Sequence, residues 1–298
     1  MIRILLNGKR ACIPEVRETI EALRREMPGT MEVRVTWEQG DAQRFVGEAR
    51  ADGVQCVVSA GGDGTLNEVV NGLAALPQEE RPELAILPLG TANDFARACA
   101  IPLNIREALR LALHGDSKPV DLVQANDRYF INVASGGFAA EASANLSPQV
   151  KNFLGGGAYT LSALIRSLSA THGEGRLRGE GVDLSGTALA GVVCNGRQAG
   201  GGQLLAPHAY IDDGWLDVLV ILTFPLPEVG QVIRELLDEA EDGRYIKRFR
   251  TRWLDSWPSR PRTVNLDGEP YRAEHIRFTL IPKAVRLILP PHCPCVRG

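Results

Sequence analysis

Residues 60–68 read Ala-Gly-Gly-Asp-Gly-Thr-Leu-Asn-Glu. They lie between an apolar run holding Val54, Cys56, Val57 and Val58 and a stretch in which Leu66, Val69, Val70 and Leu73 recur at helical spacing. That pattern predicts a buried strand, a glycine turn and an amphipathic helix capped by Thr65. Glycines allow positive φ and let a ligand approach the backbone, and the unpaired N–H groups of a helix start favour an anion. Phosphate is the natural guest. Alone, a Gly-Asp-Gly turn is only a turn, but a second unit follows. The strand-like residues 84–87 run into Pro88-Leu89-Gly90-Thr91-Ala92-Asn93-Asp94-Phe95, again a turn leading into a helix start. Two consecutive strand–turn–helix units of a parallel sheet put both turns at its carboxyl edge, where ligands bind. The chain has neither a P-loop nor a Gly-x-Gly-x-x-Gly dinucleotide fingerprint.

These two turns resemble the nucleotide site of the diacylglycerol-kinase-like lipid kinases. So do Asn132-Val133-Ala134-Ser135-Gly136-Gly137-Phe138, Asp212-Asp213-Gly214-Trp215-Leu216-Asp217 and Asn265-Leu266-Asp267-Gly268-Glu269-Pro270. Residues 5–9, 33–38 and 195–203 bring the likeness closest to the bacterial YegS-type lipid kinases, and the matches follow the family's order along nearly the whole chain. The resemblance implies ATP as phosphoryl donor, bound by Thr36, Gly62, Asp63, Gly64, Thr65, Leu66, Asn67, Glu68 and Thr91. It assigns Glu269 as the proton acceptor, with Asp267 as the fallback. It also implies a divalent cation, Mg2+ or Ca2+ in its place, with a second metal site at the Asp213 carboxylate and the main-chain carbonyls of Tyr210 and Trp215. Asp94 and Asp121 would join an acidic network holding water-bound magnesium. The implied acceptor is a hydroxyl of a membrane glycerolipid or phospholipid, with phosphatidylglycerol a candidate.

The residue chemistry is compatible with this. Moving a γ-phosphoryl group requires that the phosphates be positioned, their charge neutralised and a hydroxyl oriented. The turn N–H groups and the hydroxyls of Thr65 and Thr91 could hold phosphates without a lysine clamp. Asp63 would act through a cation or water, or by stiffening its own turn. Taken singly, Thr36 is an ordinary strand residue, Asp267-Gly268 a hairpin signal, Asp94 a helix cap and Asp121 a strand-edge residue. Arg248, Arg250 and Arg252 alternate with Phe249, Thr251 and Trp253, which predicts one basic strand face. That face would settle on an anionic membrane or simply be solvated. Two other functions stay open: a kinase with similar loops acting on a soluble acceptor, and a nucleotide or lipid sensor without turnover.

The elements that must position these groups divide near residue 122. Residues 2–6, 32–37, 54–59 and 84–87 read as strands alternating with helices at 14–27, 41–51, 65–76 and 105–114. This is the pattern of an α/β domain with a parallel sheet and the nucleotide site, spanning 1–122. Residues 123–283 are mostly β, with strand-like segments at 130–134, 188–194, 216–222, 244–253, 263–266 and 276–280, and helices at 159–169 and 226–239. They predict a mostly antiparallel β-sandwich or partly open barrel that would serve the lipid. By resemblance, 284–298 returns to the first domain.

Composition agrees. A chain of 298 residues suits two domains, and a formal charge of -3 gives no reason to expect nucleic acid. No 18-residue apolar stretch is present, and the amino terminus reads as a strand rather than a signal peptide. The six cysteines lack metal or disulfide spacing. Cys56 and Cys194 read as core, and the Cys293-Pro294-Cys295 tail as surface. A reducing compartment follows, hence a cytoplasmic protein at the inner face of the membrane. The five histidines form no cluster and receive no role.

Overall fold

The computed structural model describes residues 1–137, 173–239 and 241–297; the helix expected at 159–169 lies outside them. The first lobe is a three-layer α/β unit. Strands β1 (Ile2–Asn7), β2 (Met31–Thr36), β3 (Cys56–Gly61) and β4 (Glu83–Pro88) pair in parallel in the order β2-β1-β3-β4. These strands read as β-branched and aliphatic runs because both faces are buried. On one face pack α1 (Pro14–Glu26) and α5 (Ile105–His114), with Val16, Ile20, Leu23, Ala108 and Leu109 inward. The other face carries α2 (Asp41–Ala51), α3 (Asp63–Ala74) and the short α4 (Asp94–Ala98), burying Phe45, Val46, Val69, Leu73 and Phe95.

The second lobe is antiparallel. It comprises β7 (Val133–Gly137), β8 (Gly173–Gly179), β9 (Val182–Cys194), β12 (Leu216–Leu222), β13 (Ile246–Thr251), β14 (Trp253–Pro258), β15 (Arg262–Leu266) and β16 (Glu269–Ala273). Every pairing among them is antiparallel. Their inner faces enclose Phe130, Val193, Val218, Leu254 and Phe278. Helix α6 (Val229–Leu237) covers the outer side of β9, β12 and β13 around Val232, Tyr245 and Ile246. A two-stranded hairpin, β10 (Gln198–Ala199) and β11 (Gln203–Leu204), projects from this lobe.

Two strands join the lobes. β5 (Asp116–Ala125) pairs antiparallel with β17 (Ile276–Leu289) along its whole length, and its other edge carries the short β6 (Arg128–Phe130). The first half of β17 also pairs with β14, whereas Leu287 pairs in parallel with Leu84 of β4. A register shift between Ile281 and Val285, with Lys283 at φ 53°, bends the strand from one sheet into the other. Asp121, fully buried, fixes the bend by accepting the Lys283 N–H at 2.7 Å and the Gly214 N–H at 2.8 Å.

Several local expectations shift. The stretch 244–253 is not one strand: β13 pairs with β12, but after Thr251 the chain turns and β14 pairs with β8 and β17. Apolar alternation continues through the break, which hides it. The long strand β5 carries no clear strand signal in sequence, because Lys118, Pro119 and Asp121 interrupt its apolar pattern. The carboxyl-terminal cysteines are buried rather than superficial. They lie beside Cys99 at the end of α4, where the Cys295 thiol donates to the Ala98 carbonyl at 3.0 Å.

Candidate active site

Both glycine turns lie at the carboxyl edge of the parallel strands and touch each other. A Cβ on Gly90 would sit 2.5 Å from Gly62 Cα, so only glycines permit the loops to pack backbone to backbone. Gly62, extended, ends the β3 turn, and α3 begins at Asp63, two residues before the expected cap. Thr65 is therefore inside the helix. Its hydroxyl accepts from Asn7 Nδ2 at 2.9 Å, while its side chain fills the space where a Cβ on Gly61 would fall. The first-turn N–H groups of α3 have no intrahelical acceptors and face this edge. Leu66 packs into the core, so it can serve a ligand only through its backbone.

The carboxylates take distinct roles. Asp63 accepts the N–H groups of Asp94 and Phe95 at 3.3 and 3.4 Å, tying the first turn to the start of α4. Burial, and then the neighbouring Asp94 charge, push its carboxyl above the usual range. Asp94 accepts Gly201 N–H at 2.9 Å and Gly202 N–H at 2.7 Å, so the β10–β11 turn of the second lobe closes over it. Asp121 spends both oxygens on the interlobe bend, and the carboxylates acting on it are Asp213 and Asp212. The expected Asp94–Asp121 network is thus two separate backbone clasps.

Glu269 belongs to the second lobe, yet it reaches the first. A Cβ on Gly64 would lie 3.0 Å from Glu269 Oε1, which places this carboxylate over the first turn of α3. Burial, and then the Glu269 charge, raise the carboxyl of Glu68 on the same helix. The hairpin carrying Glu269 is held by Asp267, at φ 50°. The Asp267 carboxylate accepts N–H from Ile131, Asn132 and Val133 at 2.9–3.0 Å, and from Asn67 Nδ2 at 3.4 Å. Burial lifts its carboxyl to about 6 against those donors. Asp267 thus anchors the hairpin to the β6–β7 connection, and Asn67, which also donates to the Tyr129 carbonyl, extends its clasp into α3. Sequence reasoning had no signal for this clasp, because three of its four donors are main-chain groups.

Thr36 ends β2, its carbonyl pressed against Gly8, where a Cβ would fall 2.4 Å away. Thr91 is exposed on the second turn. Of the expected metal set, the Asp213 carboxylate already has partners. Asp213 forms an ion pair with Arg250, has Arg297 at 3.5 Å, and accepts the Trp215 N–H at 3.1 Å, while the Tyr210 ring lies between Arg197 and Arg297. No group of three or more His, Cys, Asp or Glu side chains suited to a metal occurs among the described residues. The alternating arginines are likewise engaged. Arg248 donates to the Glu235 and Leu236 carbonyls at the end of α6, Arg250 pairs with Asp213, and Arg252 lies over Trp215.

Inside the second lobe is an apolar cavity of ≈ 180 Å³, lined by Ala134, Ala190, Val192, Val218, Leu254 and Phe278 among others. Arg176, Arg262 and Glu174 contribute polar lining to it.

A glycine-turn α/β lobe joined to an antiparallel sandwich that lends it a carboxylate defines a kinase built from two lobes. Comparison with known proteins specifies it further. Residues 2–125 match the diacylglycerol kinase catalytic domain, and residues 132–289 match the YegS C-terminal NAD kinase beta sandwich-like domain. A protein of Shewanella frigidimarina named "Probable lipid kinase YegS-like" is 46% identical over 99% of this chain and 96% of its own length. One of the same name from Yersinia enterocolitica is 43% identical over 97% of each. A crystal structure of a "putative diacylglycerol kinase" from Bacillus anthracis superimposes with a TM-score of 0.79 at 28% identity, over 98% of this chain and 96% of that one. The chain belongs to the YegS-like lipid kinases of the diacylglycerol kinase family.

Proposed function

We propose that this kinase transfers the γ-phosphoryl group of ATP, with a divalent cation, to a hydroxyl of a membrane glycerolipid or phospholipid, phosphatidylglycerol being the first candidate. The observation that carries this reading is the placement of Glu269 over Gly64. A carboxylate from one lobe overhangs the helix start of the other, where the phosphates would lie.

In that reading, the backbone of residues 62–65 and the Thr91 hydroxyl hold the triphosphate, with Thr36 beside the rest of the nucleotide. The acceptor oxygen forms a bond to the γ-phosphorus as the bond to the β-phosphate oxygen breaks, and Glu269 takes the hydroxyl proton. The cation neutralises charge on the phosphate oxygens. Asp63 fits that task, since burial and Asp94 leave its carboxyl short of compensating charge. A cation held by Asp213 with the Tyr210 and Trp215 carbonyls would have to displace the Arg250 guanidinium from the carboxylate.

The apolar cavity supports a lipid acceptor, because its lining suits an acyl chain within the lobe that supplies the base. Peripheral attachment at the inner membrane face would bring the enzyme to such a substrate, and no helix among the described residues is long and apolar enough to cross a membrane. The test is incubation of the whole chain with ATP, magnesium or calcium, and a total membrane lipid extract, followed by mass spectrometry. A phosphate-mass increase on a glycerolipid is expected. Labelling of a soluble alcohol while every lipid stays unmodified would defeat the acceptor class. Ala188→Phe, which fills the cavity from β9, should raise the lipid KM several-fold and leave ATP binding unchanged.

A further inference from the structure

Trp37 follows Thr36 directly at the end of β2 and is 90% exposed, against 37% for Trp257. Exposure alone says little, but an open aromatic face beside the phosphate-binding turns is a surface on which a base can stack. Its backbone is fixed: the Trp37 N–H donates to Asp41 Oδ2 at 2.7 Å, and the Glu38 N–H to the same oxygen at 3.1 Å. Hydrogen bonds from the Trp37 N–H, Arg44 and the Glu38 N–H hold the Asp41 carboxyl down at about 2, so this anchor stays ionised at any working pH.

The position along the sheet edge identifies the ligand. β2 and β3 are separated only by β1, so the end of β2 lies about 10 Å from the β3 turn at ordinary strand spacing. That is comparable to the span from the phosphates of an extended nucleotide across its ribose to the base. With phosphates on the α3 helix start, the base can extend in either direction along the edge. Toward β4 the way is closed, because the second turn packs on Gly62 and the β10–β11 turn covers Asp94. Toward β2 no further strand follows among the described residues.

We infer that the exposed indole of Trp37 is the stacking platform for the purine base of the donor nucleotide. This deepens the ATP reading above and rests on it. An indole face offers area rather than a hydrogen-bond code, so the platform serves GTP as it serves ATP.

The test uses the whole chain with Mg-ATP and dispersed phosphatidylglycerol. Trp37→Ala should raise the KM for ATP about tenfold, the scale of a lost stacking contact, with kcat within about twofold. Trp37→Phe should recover most of the loss. Inorganic tripolyphosphate, which has no base, should inhibit wild type and Trp37→Ala equally, and ATP should quench tryptophan emission in wild type but not in Trp37→Phe. Because the side chain is exposed, the melting temperature should not move. An unchanged KM for ATP in Trp37→Ala, or an equal weakening of tripolyphosphate, would overturn the platform while the ATP reading stands. Failure of wild type to bind ATP at all would overturn both.

Discussion

At the residue scale, the site contrasts a carboxylate that is free to react with carboxylates that are tied. Glu269 stands over Gly64, whereas Asp267, two residues earlier, is buried under three main-chain N–H donors. Glu269→Gln removes the proposed proton acceptor and keeps the shape. Phosphoryl transfer should fall about 10²–10⁴-fold while calorimetric ATP affinity is unchanged; wild-type turnover in this variant would remove Glu269 from the mechanism. Asp267 carries a pH signature. Its carboxyl, at about 6 in the folded chain, lies above its ordinary value of 3.8, so the protonated form is the one that folding favours. Its contribution is therefore fully present below about pH 4 and is lost as pH rises through about 6. Asp267→Asn should abolish that slope, which thermal unfolding of both proteins between pH 4 and 7 would reveal. The same variant should lower kcat, because the hairpin that aims Glu269 loses an acceptor.

At the element scale, two helix starts and two turns work as one unit because Gly62 and Gly90 lack side chains where their backbones meet. Gly90→Ala forces a Cβ to 2.5 Å from Gly62 Cα, a backbone atom with little room to yield. A stability loss of about 1–3 kcal/mol in denaturant titration is expected, as for other overpacked sites. ATP binding should weaken with it, since the α3 helix start shifts relative to the second turn. The arginine strand belongs at this scale too. Its basic face looked fit for a membrane, but Arg248 and Arg250 are spent on the end of α6 and on Asp213. A charge pattern in one strand says nothing of the carboxylates and carbonyls that other strands bring to it.

At the scale of the whole molecule, the lobes share a two-stranded ribbon, and Asp121 pins its bend. Asp121→Ala leaves the Lys283 and Gly214 N–H groups without their acceptor. The loss should be about 2–4 kcal/mol, and activity should drop further than stability alone explains, because the bend sets how Glu269 faces α3. Unfolding curves and turnover measured on the same preparation would check both.

Much of this was written in the chain. Residues 60–68 and 88–95 announced their turns because strand, glycine and helix signals are local, spanning about a dozen neighbours. The alternation of strands and helices before residue 122, and of short strands after it, likewise gave the two architectures. The sequence could not tell that Glu269 overhangs Gly64, that Asp94 and Asp121 serve backbone clasps, or that the cysteine tail is buried. It also could not separate the residues lining the apolar cavity from ordinary core. Those facts depend on contacts between residues as far apart as Asn67 and Asp267, two hundred positions along the chain. Many run through main-chain N–H groups that every residue type possesses. Local propensity fixes the elements, but only their packing in three dimensions decides which carboxylate overhangs the α3 helix start.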